Sequence, residues 1–388
     1  MERKVYRADA VFDGARMLPG HALVVADGHV DSIVALADLP RDARAVALGA
    51  GTIAPGFVDL QVNGGGGALL NDDPSLASLQ TIARAHAGLG TTALLPTLIT
   101  DTPVRTAAAI DSACAAIRQG VPGIAGLHLE GPHLSVARKG AHDPALIRPM
   151  EDADLEMLCA AAARLPSLMV TVAPETVSPE QISALVAAGV TVSLGHSDAN
   201  YATCASAATA GATCVTHLFN AMSQMGNREP GLVGAALGLG GLNAGLIADG
   251  IHVHPVTMAN ALRAKQGPAE AFLVSDAMAT AGSDIDGFAL NGRWIERRDG
   301  RLTLADGTLA GADLDLARAL RVLTGPMAVP LADALIMATS APARVIRRHP
   351  ELGRLQPRGQ ADFVHLDAGL NLTATWIAGQ RVPARHQG

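Results

Sequence analysis

Short apolar runs alternate with Ala- and Leu-rich helical patterns along the middle of the chain, and this alternation most constrains the fold. The runs are rich in Val, Ile and Leu, which is typical of strands buried on both faces of a parallel sheet. One helical pattern has Ser178 as its N-cap, Pro179 as its first residue and Gly189 just past its end. The runs are Phe57–Val62, Thr92–Leu95, Ile124–Leu129, Leu168–Val172, Val190–Leu194, Thr213–Thr216, Ala244–Ala248 and Phe272–Ser275.

Eight strands with intervening helices predict an α/β fold of the (β/α)8 barrel type. A doubly wound open sheet is the alternative, but no Gly-x-Gly-x-x-Gly motif opens a helix after the first strand. Both ends of the chain instead have strand-like patterns, and Asp27-Gly28 has the signature of a hairpin turn. We expect these ends to form one small β-sandwich, with residues 1–54 and 351–388 flanking a barrel of residues 55–350. The terminal strand-like segments are Ala22–Ala26, Val30–Val34, Ala361–Leu366 and Leu372–Ile377.

The charge balance and the cysteine pattern exclude several classes of protein. The 388 residues include 36 acidic and 29 basic side chains, and the net charge of −7 argues against nucleic-acid or anionic-membrane partners. The uncharged stretch Gly231–Ala248 contains six glycines and is too short for a comfortable membrane span. The four cysteines form no Cys-x-x-Cys pair, and the first residues lack the apolar region of a signal peptide. We therefore expect a cytoplasmic protein with reduced cysteines.

Polar residues capable of chemistry follow the apolar runs, where a barrel places its active site. His196 and His217 are 21 residues apart, about one β/α unit, and Glu130 lies 66 residues before His196. Two imidazoles and one carboxylate that meet at a barrel mouth form a catalytic divalent-metal set with an open position for water. Zn²⁺ suits this set best, and Fe²⁺ also fits it. Each histidine alone could be structural, but three such residues at strand ends favour a metal site.

Asp276 follows the last run and admits two interpretations. Its carboxylate could take a proton from an activated water and later give it to a leaving amine. It could equally be a helix N-cap, because small and apolar residues follow it. The sequence has no P-loop, so a phosphate would need scattered groups such as Arg228 or the backbone N–H groups after Asn220. Arg228 could also be an ordinary surface residue, and the Gly64–Gly67 run only a turn.

With these residues placed, nearly the whole chain resembles the N-acetylglucosamine-6-phosphate deacetylases, a branch of the amidohydrolase superfamily. One matching segment would be only suggestive, whereas the ordered set is specific. The resemblance implies the barrel with its small β domain, and hydrolysis of the acetamide of N-acetyl-D-glucosamine 6-phosphate to D-glucosamine 6-phosphate and acetate. The segments are Pro55-Gly-Phe-Val-Asp-Leu-Gln, His128-Leu-Glu-Gly-Pro, Gly195-His-Ser-Asp-Ala, Thr216-His-Leu-Phe-Asn-Ala-Met, Ala248-Asp-Gly-Ile-His and Val274-Ser-Asp-Ala.

The resemblance also assigns catalytic roles position by position. Glu130, His196 and His217 match the family's metal ligands. Asp276 matches its catalytic aspartate, which implies a general base that later acts as the acid. His142 matches a histidine that contacts the acetamido carbonyl, where it could stabilise a developing oxyanion beside the metal.

Substrate binding is implied in the same way. His252 matches a substrate-binding histidine of the family. Asn220, Ala221 and Arg228 match its phosphate-binding region, in which the neighbouring subunit of a dimer supplies the arginine. The resemblance therefore implies a homodimer with shared active sites and an amino-sugar phosphate as substrate.

One departure from the wider superfamily implies a single metal ion. Many members carry His-x-His after the first strand to hold a second metal, and here that position is Gln61-Val62-Asn63, whose amides are poor Zn²⁺ ligands. Members with a bridged metal pair typically use a carboxylated lysine after the fourth strand, which here ends Ala173-Pro174-Glu175. None of the three lysines, Lys4, Lys139 and Lys265, lies there. We expect one divalent ion per subunit, with Zn²⁺ preferred over Fe²⁺.

Two other functions stay open on the sequence alone. Deacetylation of N-acetylgalactosamine 6-phosphate needs a different fit to only one hydroxyl. A non-catalytic scaffold predicts decay of the metal set or the base, and all four residues are present. Over the pocket we expect a mobile loop within residues 277–310, with Gly282, Gly287 and Gly292 as hinges.

Overall fold

The computed structural model describes residues 3–40 and 44–383. The first seven strands of the chain belong to a small β domain. These strands are β1 (Arg3–Arg7), β2 (Ala10–Phe12), β3 (Met17–Pro19), β4 (His21–Ala26), β5 (His29–Ala35), β6 (Ala45–Ala47) and β7 (Thr52–Pro55). The predicted hairpin is confirmed, because β4 pairs antiparallel with β5 and Asp27 and Gly28 between them have φ of 47° and 80°. Positive φ at both residues is what a two-residue type I′ turn requires.

The middle of the chain forms an eight-stranded parallel sheet that curves into a nearly closed barrel, in which each strand pairs with the next along the chain. A helix follows most strands and covers the outside of the barrel. In chain order the elements are β8 (Phe57–Val62), β9 (Gly64–Gly65), β10 (Ala68–Leu69), α1 (Leu76–Ala87), β11 (Thr91–Ile99), α2 (Pro103–Arg118), β12 (Leu127–Glu130), α3 (Asp152–Ala162), β13 (Leu168–Val172), α4 (Pro179–Ala187), β14 (Thr191–Leu194), α5 (Tyr201–Thr209), β15 (Cys214–Val215), α6 (Gly231–Gly238), β16 (Asn243–Leu246), α7 (Pro255–Ala264) and β17 (Ala271–Leu273).

The barrel closes where the chain beyond β17 returns to the end of β8. Val62 and Ala277 form a parallel bridge, and the backbone N–H of Asn63 donates to the carbonyl oxygen of Ala277 at 2.9 Å. We call this junction the seam. Because all eight strands are parallel, their carboxyl ends lie on one face of the barrel, and side chains far apart in sequence meet there.

All eight predicted runs overlap a barrel strand, so the (β/α)8 fold is confirmed and the doubly wound alternative is wrong. The largest difference is at β11, which continues past the predicted end at Leu95 to Ile99. Pro96 cannot donate to the sheet, but the strand accommodates it through a register shift between Leu94 and Pro96. The predicted start of α4 is also confirmed, with Ser178 as its N-cap.

The segment expected to be a loop over the pocket is largely a four-stranded antiparallel sheet, which we call the cap. Its strands are β18 (Gly287–Leu290), β19 (Arg293–Arg298), β20 (Arg301–Thr303) and β21 (Leu309–Ala312). Asn291-Gly292 and Asp299-Gly300 connect the first three strands with positive φ at all four residues, and such dipeptides are strong hairpin signals. Gly287 is the first residue of β18, and a Cβ there would meet the Trp294 ring at 2.5 Å, which explains why this position is a glycine.

The last elements complete the barrel and the small domain. They are α8 (Leu316–Thr324), α9 (Leu331–Ala338), α10 (Ser340–Val345), β22 (Phe363–Leu366), β23 (Leu372–Ile377) and β24 (Gln380–Arg381). Strand β22 pairs antiparallel with β7, which joins the two ends of the chain in one sheet. A second sheet, containing β1, β4, β5 and β6, shares a core with it around Tyr6, Phe363 and Trp376. The predicted β-sandwich built from both termini is confirmed.

The four cysteines are free thiols, as expected. Cys114, Cys204 and Cys214 are buried and Cys159 is half-buried, which is the behaviour of small core residues. Within residues 3–40 and 44–383, none of the helices combines the length and the apolar character that crossing a bilayer needs.

Candidate active site

Three side chains from the carboxyl ends of barrel strands meet in one buried cluster. Glu130 ends β12, His196 follows β14 and His217 follows β15. The Nε2 atoms of the two histidines lie 3.2 and 3.0 Å from Oε1 of Glu130, and 3.0 Å from each other. Ligand atoms about 2.0–2.1 Å from a tetrahedral Zn²⁺ ion are about 3.3 Å apart, so these atoms have the spacing of one ion's ligands.

The charge of Glu130 makes the cluster a site for a cation. Burial alone would raise the pKa of this carboxyl, but its close contacts with the His196 and His217 rings hold the pKa well below its ordinary value. Glu130 is 2% exposed, and an ionised carboxylate at that depth needs a compensating positive charge. A divalent ion bound between the carboxylate and the two imidazoles would supply that charge.

Backbone groups contact the Nδ1 atoms of His196 and His142 and indicate which nitrogen of each ring carries the proton. His196 Nδ1 lies 2.9 Å from the carbonyl oxygen of Arg138, which can only accept, so Nδ1 carries the proton and Nε2 presents a lone pair. Thr100 contacts Nδ1 of His142 with its hydroxyl at 2.7 Å and with its backbone N–H at 3.4 Å. The backbone N–H can only donate, so with Nδ1 as its acceptor the proton of His142 is on Nε2. His196 therefore has the form of a metal ligand, and His142 the form of a hydrogen-bond donor.

His142 borders the cluster at a longer distance. Its Nε2 lies 3.9 Å from Oε2 of Glu130, and its ring centroid lies 4.3 Å from that of His196. Glu130, His142 and His196 also have metal-ligand spacing among themselves. The proton on His142 Nε2 and the shorter contact of His217 favour His217 as the third ligand. Burial and the neighbouring His196 lower the pKa of His142 well below its ordinary value, so its ring is neutral.

Asp276 lies next to the cluster and caps no helix. The residues after it form turns and then the cap, so the N-cap interpretation is wrong. Its side chain is buried, and Nδ2 of Asn63 donates to its Oδ1 at 2.7 Å. Burial, together with the charge of Glu130, raises the pKa of Asp276 to about 6. A carboxylate with this pKa can take up and return a proton near neutral pH.

Backbone strain occurs at three of these positions. His196, His217 and Asp276 have φ of 47°, 32° and 50°, in the left-handed region that residues other than glycine seldom adopt. Such conformations cost about 1–3 kcal/mol each and are concentrated at functional sites. All three residues line one cavity, so their strained backbone conformations are evidence for a functional site that does not depend on the side-chain chemistry.

A cavity of about 520 Å³ opens above the cluster. Loop residues 137–142 form one wall, and Leu290 and residues 307–311 of the cap region form another. The Arg293 guanidinium of the cap donates to the carbonyl oxygen of Ala141 and joins these walls. Arg228 lies in an exposed loop and is absent from the cavity lining. The candidate residues that line the cavity are Glu130, His142, His196, His217, Asn220, Ala221, His252 and Asp276.

Sequence patterns missed the cap wall and the partner of His142. The cap wall could have been found from its Asn-Gly and Asp-Gly dipeptides, which predict hairpins. Thr100 directly follows the carboxyl end of β11, the position at which a barrel places functional side chains. It was missed because the predicted strand ended at Leu95.

Gln61, near the end of β8, and Asn63, just after it, occupy the two positions at which a second metal ion would need histidine ligands. Gln61 Nε2 donates to Oε1 of Glu130 at 3.1 Å, and Asn63 Nδ2 donates to Asp276. After β13, where a carboxylated lysine would bridge two metal ions, the chain has Glu175, and its carboxylate accepts a hydrogen bond from Ser197 Oγ at 2.6 Å. The amides present N–H donors to carboxylates rather than ligand atoms to a metal, so this geometry favours a single ion.

Known proteins resemble this chain along its length. The sequence profile of the amidohydrolase family matches residues 52–382. The N-acetylgalactosamine-6-phosphate deacetylase of Shewanella sp. strain ANA-3 is 43% identical over 95% of each chain. The crystal structure of N-acetylglucosamine-6-phosphate deacetylase from Pasteurella multocida superposes with a TM-score of 0.93 at 31% identity, covering 98% of this chain and 99% of the other. A mutant of the Mycobacterium smegmatis enzyme in complex with N-acetyl-D-glucosamine-6-phosphate gives 0.91 at 32% identity, covering 98% and 100%.

We expect the protein to bind one divalent ion per chain and to lose it when His196 or His217 is replaced by Ala. Each replacement removes one of three ligand atoms, so the ion content should fall below about a tenth of the wild-type value. The measurement is elemental analysis after dialysis. His252→Ala is the matched control, because His252 lines the same cavity but its Nδ1 is held by Asp249 at 2.6 Å. Two ions per chain, or unchanged content in both variants, would contradict this expectation.

Proposed function

The chain belongs to the amidohydrolase family, and we propose that it hydrolyses the acetamide of N-acetyl-D-glucosamine 6-phosphate to D-glucosamine 6-phosphate and acetate. The observation that carries the proposal is the meeting of Glu130, His196 and His217 with Asp276 at one cavity. Three ligand groups and one carboxyl that exchanges protons are what hydrolysis of an unactivated amide needs. The three relatives described above are named as deacetylases of amino-sugar phosphates, which supports this substrate class.

Glu130, His196 and His217 would hold one divalent ion. When bound, this ion supplies Lewis acidity to a water molecule and to the acetamide carbonyl. Two neutral imidazoles with one carboxylate suit Zn²⁺ best and also suit Fe²⁺. Their Nε2 and Oε1 atoms already converge, so binding the ion requires little rearrangement.

Asp276 moves the protons of the reaction. Its carboxylate accepts a proton from the attacking water while the oxygen of that water forms a bond to the acetamide carbon. As the C–N bond breaks, the same carboxyl returns the proton to the amine nitrogen, so that acetate and a free amine leave. The pKa of about 6 leaves Asp276 mostly ionised at pH 7 and still able to act as an acid.

His142 stabilises the carbonyl oxygen. Its neutral ring carries a proton on Nε2, beside the cluster, because Thr100 occupies its Nδ1. A fixed N–H donor at that position strengthens its hydrogen bond as negative charge develops on the oxygen. Burial and the neighbouring His196 lower the pKa of His142, so the ring is neutral and acts as a hydrogen-bond donor rather than as a general acid.

Asn220, Ala221 and His252 line the cavity and would bind the sugar phosphate, with Arg228 contributed by the second subunit of a homodimer. Arg228 lies outside the cavity of its own chain, in a loop whose Met225 is 62% exposed. Val136, Val256 and Trp294 are further large apolar side chains that are exposed, and each lies in a segment that follows a different barrel strand. Exposed apolar side chains in the segments after barrel strands support coverage of that end of the barrel by a second copy. The free cysteines support a reducing, cytoplasmic location.

N-acetylgalactosamine 6-phosphate is the second candidate substrate. The relative at 43% identity is named for this epimer, which differs from the first candidate in the orientation of one hydroxyl. The chemistry at Glu130, His196, His217 and Asp276 would be the same for both sugars.

Acetate release from purified protein tests the function directly. We expect N-acetylglucosamine 6-phosphate to give a higher kcat/KM than its galacto epimer, and the unphosphorylated sugar to react much more slowly because it lacks the anionic group. A preference for the galacto epimer would select the second candidate. Failure of both phosphorylated sugars in metal-loaded protein would refute the proposed function, and equal rates on the unphosphorylated sugar would remove the phosphate site.

Asp276→Asn should lower kcat by several orders of magnitude, because the amide cannot accept the water proton. The ion content should stay at the wild-type value, since Asp276 is not one of the three ligands. Asp111→Asn is the control, because Asp111 is an exposed carboxylate on α2 that pairs with Arg164 away from the cavity. Turnover near the wild-type rate in Asp276→Asn would rule out this residue as the base.

A subunit-mixing experiment tests whether Arg228 acts across a dimer interface. Arg228→Ala should raise KM for the phosphorylated substrate, and Asp276→Asn should be inactive. In a mixed dimer, one site would combine an intact Asp276 with an intact partner arginine, so equal mixing should restore up to about a quarter of the wild-type activity at low substrate concentration. Mixing that restores no activity above the sum of the two variants, or a monomer by light scattering, would contradict the shared site.

A further inference from the structure

The hydrogen bond between Asn63 and Asp276 joins the two sides of the seam. Asn63 is 3% exposed, and its Nδ2 donates to Oδ1 of Asp276 at 2.7 Å, across 213 residues of sequence. Its own Oδ1 is buried without a hydrogen-bond partner among the described residues. An unpaired buried acceptor costs about 1–3 kcal/mol, so stability alone does not explain an asparagine here.

We propose that Asn63 is a positioning residue that gives the two oxygens of Asp276 different roles. Nδ2 of Asn63 holds Oδ1 as a permanent acceptor, and Oδ2 is left as the oxygen that takes the proton from water and returns it to the amine. This inference rests on the proposed function, because it presupposes that Asp276 carries the proton.

The chemistry of a carboxyl group explains why such a residue is needed. A free carboxylate can rotate and be protonated on either oxygen, and only one of these protonated forms points at the reacting atoms. An N–H donor binds Oδ1 both when the group is ionised and when Oδ1 is the carbonyl oxygen of the acid. The proton is therefore confined to Oδ2, and the side chain does not have to reorient between accepting and returning it.

The seam holds both partners rigidly. The N–H groups of Asn63 and Gly64 donate to the carbonyl oxygen of Ala277 at 2.9 and 3.1 Å. Ser275, which directly precedes Asp276, donates its backbone N–H to the buried Asp59 carboxylate of β8 at 3.2 Å. Ser275 is thus tied to β8, and Ala277 to Asn63 and Gly64 just after β8, which sustains the positive φ of Asp276 between them.

Gln61 provides an internal comparison. It lies two residues before Asn63 and directs its Nε2 to Glu130 at 3.1 Å. The two amides thus donate to different carboxylates. Gln61 donates to Glu130, a candidate metal ligand, and Asn63 donates to Asp276, the proposed proton carrier. Removing Gln61 should weaken ion retention, whereas removing Asn63 should affect proton transfer with the ion retained.

The test compares Asn63→Ala, Asn63→Asp and Gln61→Ala with the wild-type enzyme for kcat, KM and ion content. Asn63→Ala should lower kcat about 10- to 100-fold, with KM within about twofold and ion content unchanged. Asn63→Asp keeps the size of the side chain but sets a second carboxylate against Asp276, which then keeps its proton, so kcat should fall further than in Asn63→Ala. Gln61→Ala should instead lose ion on dialysis.

The order of the two Asn63 variants separates positioning from space filling. If Asn63 only filled space, the isosteric Asn63→Asp would be better tolerated than Asn63→Ala, and this result would overturn the inference. Unchanged kcat in Asn63→Ala would also overturn it while leaving the proposed function intact. If Asn63→Ala does not fold, wild-type ion content together with wild-type kcat in Asn63→Asp would overturn it equally. Absence of acetate release by the wild-type enzyme would instead be a failure of the proposed function.

Discussion

The buried charge of Glu130 is the constraint on which the rest of the site depends. An ionised carboxylate removed from water costs several kcal/mol unless neighbouring groups compensate for it. Its Oε1 lies within 3.2 Å of Nε2 atoms of His196, His217 and Gln61, which belong to three different barrel strands or their ends. A barrel whose strands all end on one face brings these partners, which are far apart in sequence, to a single oxygen. A single cation bound among these partners would both compensate the buried charge of Glu130 and supply the Lewis acid that the proposed hydrolysis needs.

The site contains buried polar atoms without hydrogen-bond partners and strained backbone conformations. Of the five buried side-chain atoms without a hydrogen-bond partner among the described residues, Asn63 Oδ1 and His217 Nδ1 belong to the site. His196, His217 and Asp276 also have strained backbones. Each such feature costs about 1–3 kcal/mol, which a continuous apolar core around the barrel strands can offset. Local unfavourable geometry that coincides with convergent chemistry is what distinguishes a functional cluster from a structural one.

Sequence patterns predicted the barrel because its strands are buried on both faces and are therefore continuous apolar runs. The cap was missed for the opposite reason, since β19 reads Arg-Trp-Ile-Glu-Arg-Arg and only alternate residues face its small core. At the site, the strand-end rule placed Glu130, His196 and His217, because each follows its run by one or two residues. The Asn63–Asp276 contact could not be predicted in this way, because it depends on how the barrel closes and not on either local pattern.

The division of labour between barrel and loops explains how relatives named for two epimeric sugars share one architecture. The atoms that would carry the reaction lie at strand ends, where a shift of one residue turns a side chain away from the cavity. The walls come from the loop at 137–142, from Asn220 and Ala221, and from the cap, which Arg293 ties to the carbonyl oxygen of Ala141. Changes in these walls can alter the fit to one sugar hydroxyl without moving Glu130 or Asp276. We therefore expect discrimination between the epimers to depend on the walls, and the proposed hydrolytic chemistry to depend on the ends of the barrel strands.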